Sequence, residues 1–167
     1  MKSILKLPKG ICRQQRGQSF VEMAMAIPLL TILVIAIFEF GQAFAAYIAL
    51  VNATREGAVY ASLHPLFSVP PCPPDAGSPL YQDYKNYRDR VKAEAISANL
   101  DTALLTIDCP TMSSSTPVLN QPITVTVHYQ LTTFTSQMSV PYFERMGRPG
   151  YYLINYSMVM PLRYAPP

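Results

Sequence analysis

Gly17 and Gln18 flank the peptide bond at which a processing enzyme could cut this chain, and Glu22 supplies a lone carboxylate shortly after it. The order of features is unusual. A secretory signal is cut after its apolar core, at small residues. Here the small residue precedes the core, so hydrolysis of the Gly17–Gln18 bond would remove only residues 1–17 and leave the apolar segment on the product. That product would carry a new α-amino group on Gln18, one helical turn from Glu22. An acid at or within a membrane is costly and marks a functional position. The amine could neutralise Glu22 of its own helix or of a neighbouring one.

The other reactive side chains are few. Cys72 and Cys109 lie in the C-terminal body, whereas Cys12 lies in the segment that cleavage would discard. In an exported body the two could form a bridge. It would close a loop of about 37 residues and stabilise by roughly 3–4 kcal/mol if unstrained. The bridge is the favoured reading and two free thiols the alternative, since the sequence does not give the Cα separation. His64 and His128 are the two histidines, and neither has a serine or cysteine in a nucleophile setting. No glycine-rich phosphate loop, zinc-ligand spacing or glycosidase-like acid pair occurs. The sequence therefore points to no enzyme and implies no cofactor or metal.

Positioning Glu22 and the Gly17–Gln18 bond requires a helix at a membrane. Half of the 167 residues are hydrophobic and only 14% are charged. Five of the 13 basic residues (Lys2, Lys6, Lys9, Arg13 and Arg16) and none of the 10 acidic ones lie in residues 1–17. That leader carries +5 and the rest of the chain −2. The body has no basic patch of the kind that binds nucleic acid. Basic residues stay on the cytoplasmic side, so the leader is expected inside and the body outside the membrane, as a single-pass protein.

No charge interrupts Met23–Phe38. Gln18–Phe38 would span roughly 31 Å as a helix, which matches a bilayer core. Pro28 should kink it mildly, as membrane helices tolerate. The helical pattern continues past Glu39, which reads as an acid at the outer boundary, and stays Ala-rich to Leu63, where Pro65 ends it. Gly41, Ala45, Ala49, Ala53, Gly57 and Ala61 recur at every fourth position. Such a ridge lets two backbones approach closely, and its two glycines need a packing reason.

The body follows a proline-rich connector, residues 64–79, in which six prolines argue against helix and sheet ladders. Leu80 to about Leu100 reads as an amphipathic helix with Leu80, Tyr84, Tyr87, Val91, Ala95 and Ala98 on one face. Leu104–Cys109 suggests a short strand, and 111–122 a Ser/Thr/Pro loop. From Ile123 to Thr132 apolar and polar residues alternate, a strand with one buried face and with His128 on the polar side, where it reads as a surface residue. Residues 135–150 look irregular, and Tyr151 to about Arg163 forms the last strand. The expected class is α+β. A long N-terminal transmembrane helix (18–63) leads to a small body (80–167) of one helix on an antiparallel sheet of about three strands, with the upper part of the long helix packed on it.

Gly17-Gln18-Ser19-Phe20-Val21-Glu22 is followed by Ile27-Pro28-Leu29-Leu30, Phe38-Glu39-Phe40-Gly41 and Ala53-Thr54-Arg55-Glu56-Gly57-Ala58-Val59-Tyr60-Ala61. Together these resemble the TadE-like family of tight-adherence pili, type IV prepilin-like proteins often called pseudopilins. The resemblance covers about residues 14–62. It implies cleavage by a prepilin peptidase between Gly17 and Gln18, with Glu22 as the acid at the fifth mature position. It also implies a structural role in pilus assembly, with other pilin-like subunits, an inner-membrane assembly platform and the lipid bilayer as partners. Helix packing through Glu22 and the small-residue ridge would drive assembly. The alternative is a membrane-tethered extracytoplasmic adhesin or binding module unrelated to pili, which would keep its leader. The residue at the mature N-terminus, Met1 or Gln18, separates the two.

Overall fold

The computed structural model describes residues 15–133 and 151–164. Lys2, Lys6, Lys9, Cys12 and Arg13 lie outside them, as does the irregular stretch expected at 135–150. The fold is α+β. Helix α1 (Gln15–Leu63) is followed by a 3-10 turn (Pro65–Ser68), helix α2 (Pro79–Ser97) and a second 3-10 turn (Thr102–Leu104). Strands β1 (Leu105–Ile107), β2 (Thr111–Met112), β3 (Pro122–Leu131) and β4 (Tyr152–Pro161) come next. The chain divides into two units, Met1–Phe40 and Gly41–Pro167, so the division falls within α1.

In the first unit α1 is apolar on every side. Phe20, Met25, Leu29, Ile32 and Ile37 are all more than half exposed. A helix hydrophobic all round belongs in a protein core or a membrane, and this one is long and apolar enough to cross a membrane. Pro28 lies inside it and lacks the N–H that a helix needs at that position. One turn later the Thr31 hydroxyl donates to the Ile27 carbonyl at 2.9 Å.

In the second unit α1 becomes two-sided. Ala46, Leu50, Ala53, Ala58 and Ala61 are buried, whereas Gly41, Ala45, Ile48 and Arg55 are exposed. Pro65 stops the helix, and its late carbonyl at Ser62 accepts the N–H groups of Arg163 at 3.0 Å and Tyr164 at 3.4 Å. This meets a demand that every helix end creates. The proline-rich connector departs from expectation, because Pro65–Ser68 winds one 3-10 turn. Proline's fixed φ suits the start of such a turn. The fully buried Phe67 holds it in place, with ring centroids 6.3 Å from Tyr60, 6.3 Å from Tyr84 and 5.3 Å from Tyr87.

Ser78 caps α2 by accepting the Leu80 N–H, with Pro79 at the first helical position. Tyr84, Tyr87, Val91 and Ala95 are buried, as their spacing predicts. The helix ends at Ser97, short of Leu100. Asn99 takes a left-handed φ of 61°. Its N–H bonds the Ile96 carbonyl, and the Leu100 N–H bonds the Ala95 carbonyl, each at 2.9 Å. This two-bond closure is a Schellman motif, with asparagine where glycine is commonest.

The sheet is antiparallel, with β3 at its centre. Ten residue pairs join β3 to β4, from Pro122↔Pro161 to Leu131↔Tyr152. On the other edge of β3, β1 and β2 lie end to end, with Leu105 opposite Tyr129 and Thr111 opposite Thr124. The about three expected strands are therefore four. The added β2 lies within the expected Ser/Thr/Pro loop, and β1 ends at Ile107, before Cys109. Pro110 separates the two pieces and can donate no ladder hydrogen bond. Ile123, Val125, Val127, Tyr129 and Leu131 form the buried face of β3 and pack into one core with α1 and α2.

Candidate assembly site

By backbone, Gly17 and Gln18 lie within α1. The sequence places the helix start at Gln18, so the bond expected to be cut is itself helical. Glu22 stands one turn further along, in the exposed run 19–34.

The small-residue ridge has two environments within the second unit. An added Cβ at Gly41 would meet nothing within 4 Å, and Ala45 is exposed. Higher up, Ala49 is 4% exposed, and Ala53 and Ala61 are fully buried. At Gly57 a Cβ would lie 2.6 Å from Val91 Cγ2, 3.1 Å from Tyr87 Cε2 and 3.7 Å from Val125 Cγ1. The packing reason that the ridge's glycines call for is met at Gly57 by α2 of the same chain, over the sheet.

Polar contacts frame this packing. Arg90 on α2 donates to the Glu56 carboxylate at 2.8 Å, and its guanidinium lies 5.1 Å from the centroid of Tyr60. The Tyr60 hydroxyl donates to Asp83 at 3.3 Å. Burial pushes the Tyr60 phenol above its ordinary value, so it remains a donor. The Arg55-Glu56-Gly57 sequence therefore docks α2 through Glu56 and Gly57. Arg55 is exposed.

Cys72 and Cys109 form a disulfide with a Cα separation of 6.1 Å. It fastens the connector to the junction of β1 and β2. On α2 the Tyr87 hydroxyl donates to the neighbouring Asp108 carbonyl at 3.1 Å, and burial raises its pKa strongly. On the polar face of the sheet the Asp108 carboxylate lies 2.8 Å from His128 Nε2, and His128 Nδ1 lies 2.7 Å from Asn155 Oδ1. The acceptor from Asn155 raises the His128 pKa, burial opposes this, and Asp108 adds to the rise. A protonated imidazole donates at both nitrogens and so ties the β1–β2 junction to β4 across β3. The sequence reads His128 simply as a surface residue. Asp108 comes beside it through the Thr106↔His128 register, which local sequence does not reveal. Among the described residues no group of three or more His, Cys, Asp or Glu side chains could hold a metal ion.

Residues 17–59 match the family model for TadE-like proteins. Over that stretch the chain is similar to TadE-like proteins. The matched stretch opens at Gly17 and closes just past Gly57, so it covers almost all of α1 and none of the sheet. The TadE-like match relates the chain to pilus-associated, structural membrane proteins. No curated protein and no solved structure matches it.

Proposed function

We propose that this TadE-like chain is a prepilin-type component of a tight-adherence pilus, processed between Gly17 and Gln18 by a prepilin peptidase and assembled through α1. The observation that carries the reading is the family match that begins at Gly17, on a helix whose apolar side chains are bare all round. Before processing, the cationic leader holds the N-terminus on the cytoplasmic side of the inner membrane. Hydrolysis removes that anchor and leaves the Gln18 amine near Glu22, where subunits meet. The body lies outside the membrane, carried on α1 to the pilus or to its assembly platform.

Of the six ridge residues, Gly41 and Ala45 are the two we assign to contacts with another pilin-like subunit, together with Glu22. Ala49, Ala53, Gly57 and Ala61 serve assembly indirectly, by fixing the body to the upper part of α1. The mass of the chain from cells with and without the peptidase tests the proposal. Native protein should begin at Gln18, and a Gly17→Leu variant should keep residues 1–17. A native chain beginning at Met1 would favour a tethered module instead.

A further inference from the structure

We propose that Ser115, in the exposed Ser113-Ser114-Ser115-Thr116-Pro117 loop, is an acceptor for O-linked glycosylation. The inference does not depend on cleavage at Gly17.

The loop leads from β2, on a margin of the sheet, to the central strand β3, and residues 113–116 are all exposed. Its own hydrogen bonds hold its two arms together. Gln121 reaches across it. The Gln121 Nε2 donates to the Ser113 hydroxyl at 3.0 Å, and Oε1 accepts the Val118 N–H at 3.2 Å. The Gln121 N–H also donates to the Val118 carbonyl at 3.0 Å. The base of the loop is clasped to the residue that follows β4. The Leu162 N–H donates to the Gln121 carbonyl at 2.8 Å, and the Asn120 N–H donates to the Leu162 carbonyl at 3.0 Å. Pro117 biases Thr116 before it toward extended backbone.

Within this frame the hydroxyls are not equivalent. Ser113 accepts from Gln121. Ser114 donates to the Thr116 carbonyl at 2.7 Å and lies 3.5 Å from Thr116 Oγ1. Among the described residues, nothing bonds the Ser115 hydroxyl. Of the four, Ser115 alone offers both its proton and its lone pairs to a visiting enzyme.

The surroundings favour a neutral group. Residues 109–127 contain no Asp, Glu, Lys or Arg. A phosphate on Ser115 would find no cation in the loop to hold it, whereas a glycosyl group needs none. Beside the serines, Val118 is 57% exposed and Leu119 55%. The C–H face of a sugar ring can lie over such apolar groups while its hydroxyls stay wet. Segments rich in Ser, Thr and Pro are a composition associated with O-linked sugars. Among the described residues β2 pairs with β3 alone, so its other edge is open. A bulky hydrated group directly after β2 would block that edge against pairing with another chain.

The donor is a sugar activated at its anomeric carbon as a phosphate or diphosphate ester. A base of the transferase takes the Ser115 proton as Oγ attacks that carbon. The new C–O bond forms as the old bond from the carbon to the ester oxygen breaks. The electron pair leaves with the phosphate or diphosphate, and nothing is oxidised or reduced.

The test is the mass of the full chain purified from the cells that produce it, followed by electron-transfer fragmentation, which leaves O-linked sugars on their residues. The chain should be heavier than its sequence by one or more glycosyl residues, with the increment on Ser115. Ser115→Ala should lose the increment entirely. A bare Ser115, a phosphoryl increment there, or a sugar that moves to Ser114 or Thr116 in Ser115→Ala overturns the inference. The same spectra identify the first residue of the chain. A chain that begins at Gln18 with a bare Ser115 keeps the prepilin reading and sinks this one. A chain that begins at Met1 with a glycosylated Ser115 does the reverse.

Discussion

Gly57 on α1 and Val91 on α2 approach so closely that a Cβ on the glycine would lie 2.6 Å from Val91 Cγ2. Val91 is fully buried, so its methyl has nowhere to retreat. Overpacking of this kind costs roughly 1–3 kcal/mol. The better helix propensity of alanine offsets about 1 kcal/mol of that at most. Gly57→Ala should therefore destabilise the body, and Gly57→Val should do so more. Urea midpoints of the two variants check this, with a midpoint at or above the parent's counting against the crossing. Glu56→Ala removes only an exposed ion pair and should cost under about 1 kcal/mol.

Gly41 is expected to behave in the opposite way. A side chain there meets open space within the chain. Gly41→Leu should leave the unfolding midpoint of the isolated protein unchanged or slightly raised, since leucine is the better helix former. It should nonetheless reduce recovery of the protein in sheared pilus fractions, because the bulk would face a neighbouring helix. Undiminished recovery would remove Gly41 from the assembly contact.

Glu22→Ala should be cleaved at the normal rate and incorporated poorly. Processing is read from the mature mass and incorporation from the pilus fraction of the same cells. A variant that enters pili as well as the parent would leave the Gln18 amine without its proposed counter-charge.

Replacing both Cys72 and Cys109 by serine frees a loop of 37 residues and should cost roughly 3–4 kcal/mol. The loss is read as a lower urea midpoint under non-reducing conditions. The same shift should appear in the parent after reduction, and it should be absent when the double variant is treated with reductant.

His128 makes the body's stability depend on pH. Its folded pKa lies above the ordinary 6.5, through the Asn155 acceptor and Asp108. The stabilisation is therefore complete below about pH 6.5 and is lost as pH rises through the higher folded value. Urea midpoints measured between about pH 6 and about pH 8 should fall with pH in the parent and fall less in His128→Gln. A parent curve as flat as the variant's would count against the three-strand tie.

The elements written in short-range pattern were legible in the sequence. Strand β3 alternates without a break, and the buried face of α2 follows from the spacing of Tyr84, Tyr87, Val91 and Ala95. What depends on distant residues was not. Asp108 reaches His128 only through strand register, and the two residues of β2 are too few to show a period. The end of α2 turned on one asparagine adopting a left-handed conformation, which composition alone does not announce. The ridge on α1 shows a deeper limit. Small residues every fourth position signal that a backbone will come close, but they carry no mark of whether it belongs to the same molecule. Gly57 and Gly41 share that pattern, yet one is packed and the other open.

Within the second unit β4 runs beside α1 in the same direction, with Tyr156 against Tyr47 at one end and the Arg163 N–H on the Ser62 carbonyl at the other, and this has a mechanical consequence. Tension transmitted along the rod would be directed nearly parallel to the strands, so the ten pairs between β3 and β4 would be loaded in shear and would have to yield together. A ladder pulled crosswise would instead unzip one rung at a time. If the chain is the pilus component proposed above, the first arrangement suits it, and the carbonyl of Ser62, held by the N–H groups of Arg163 and Tyr164, is one place where force would pass from helix to ladder.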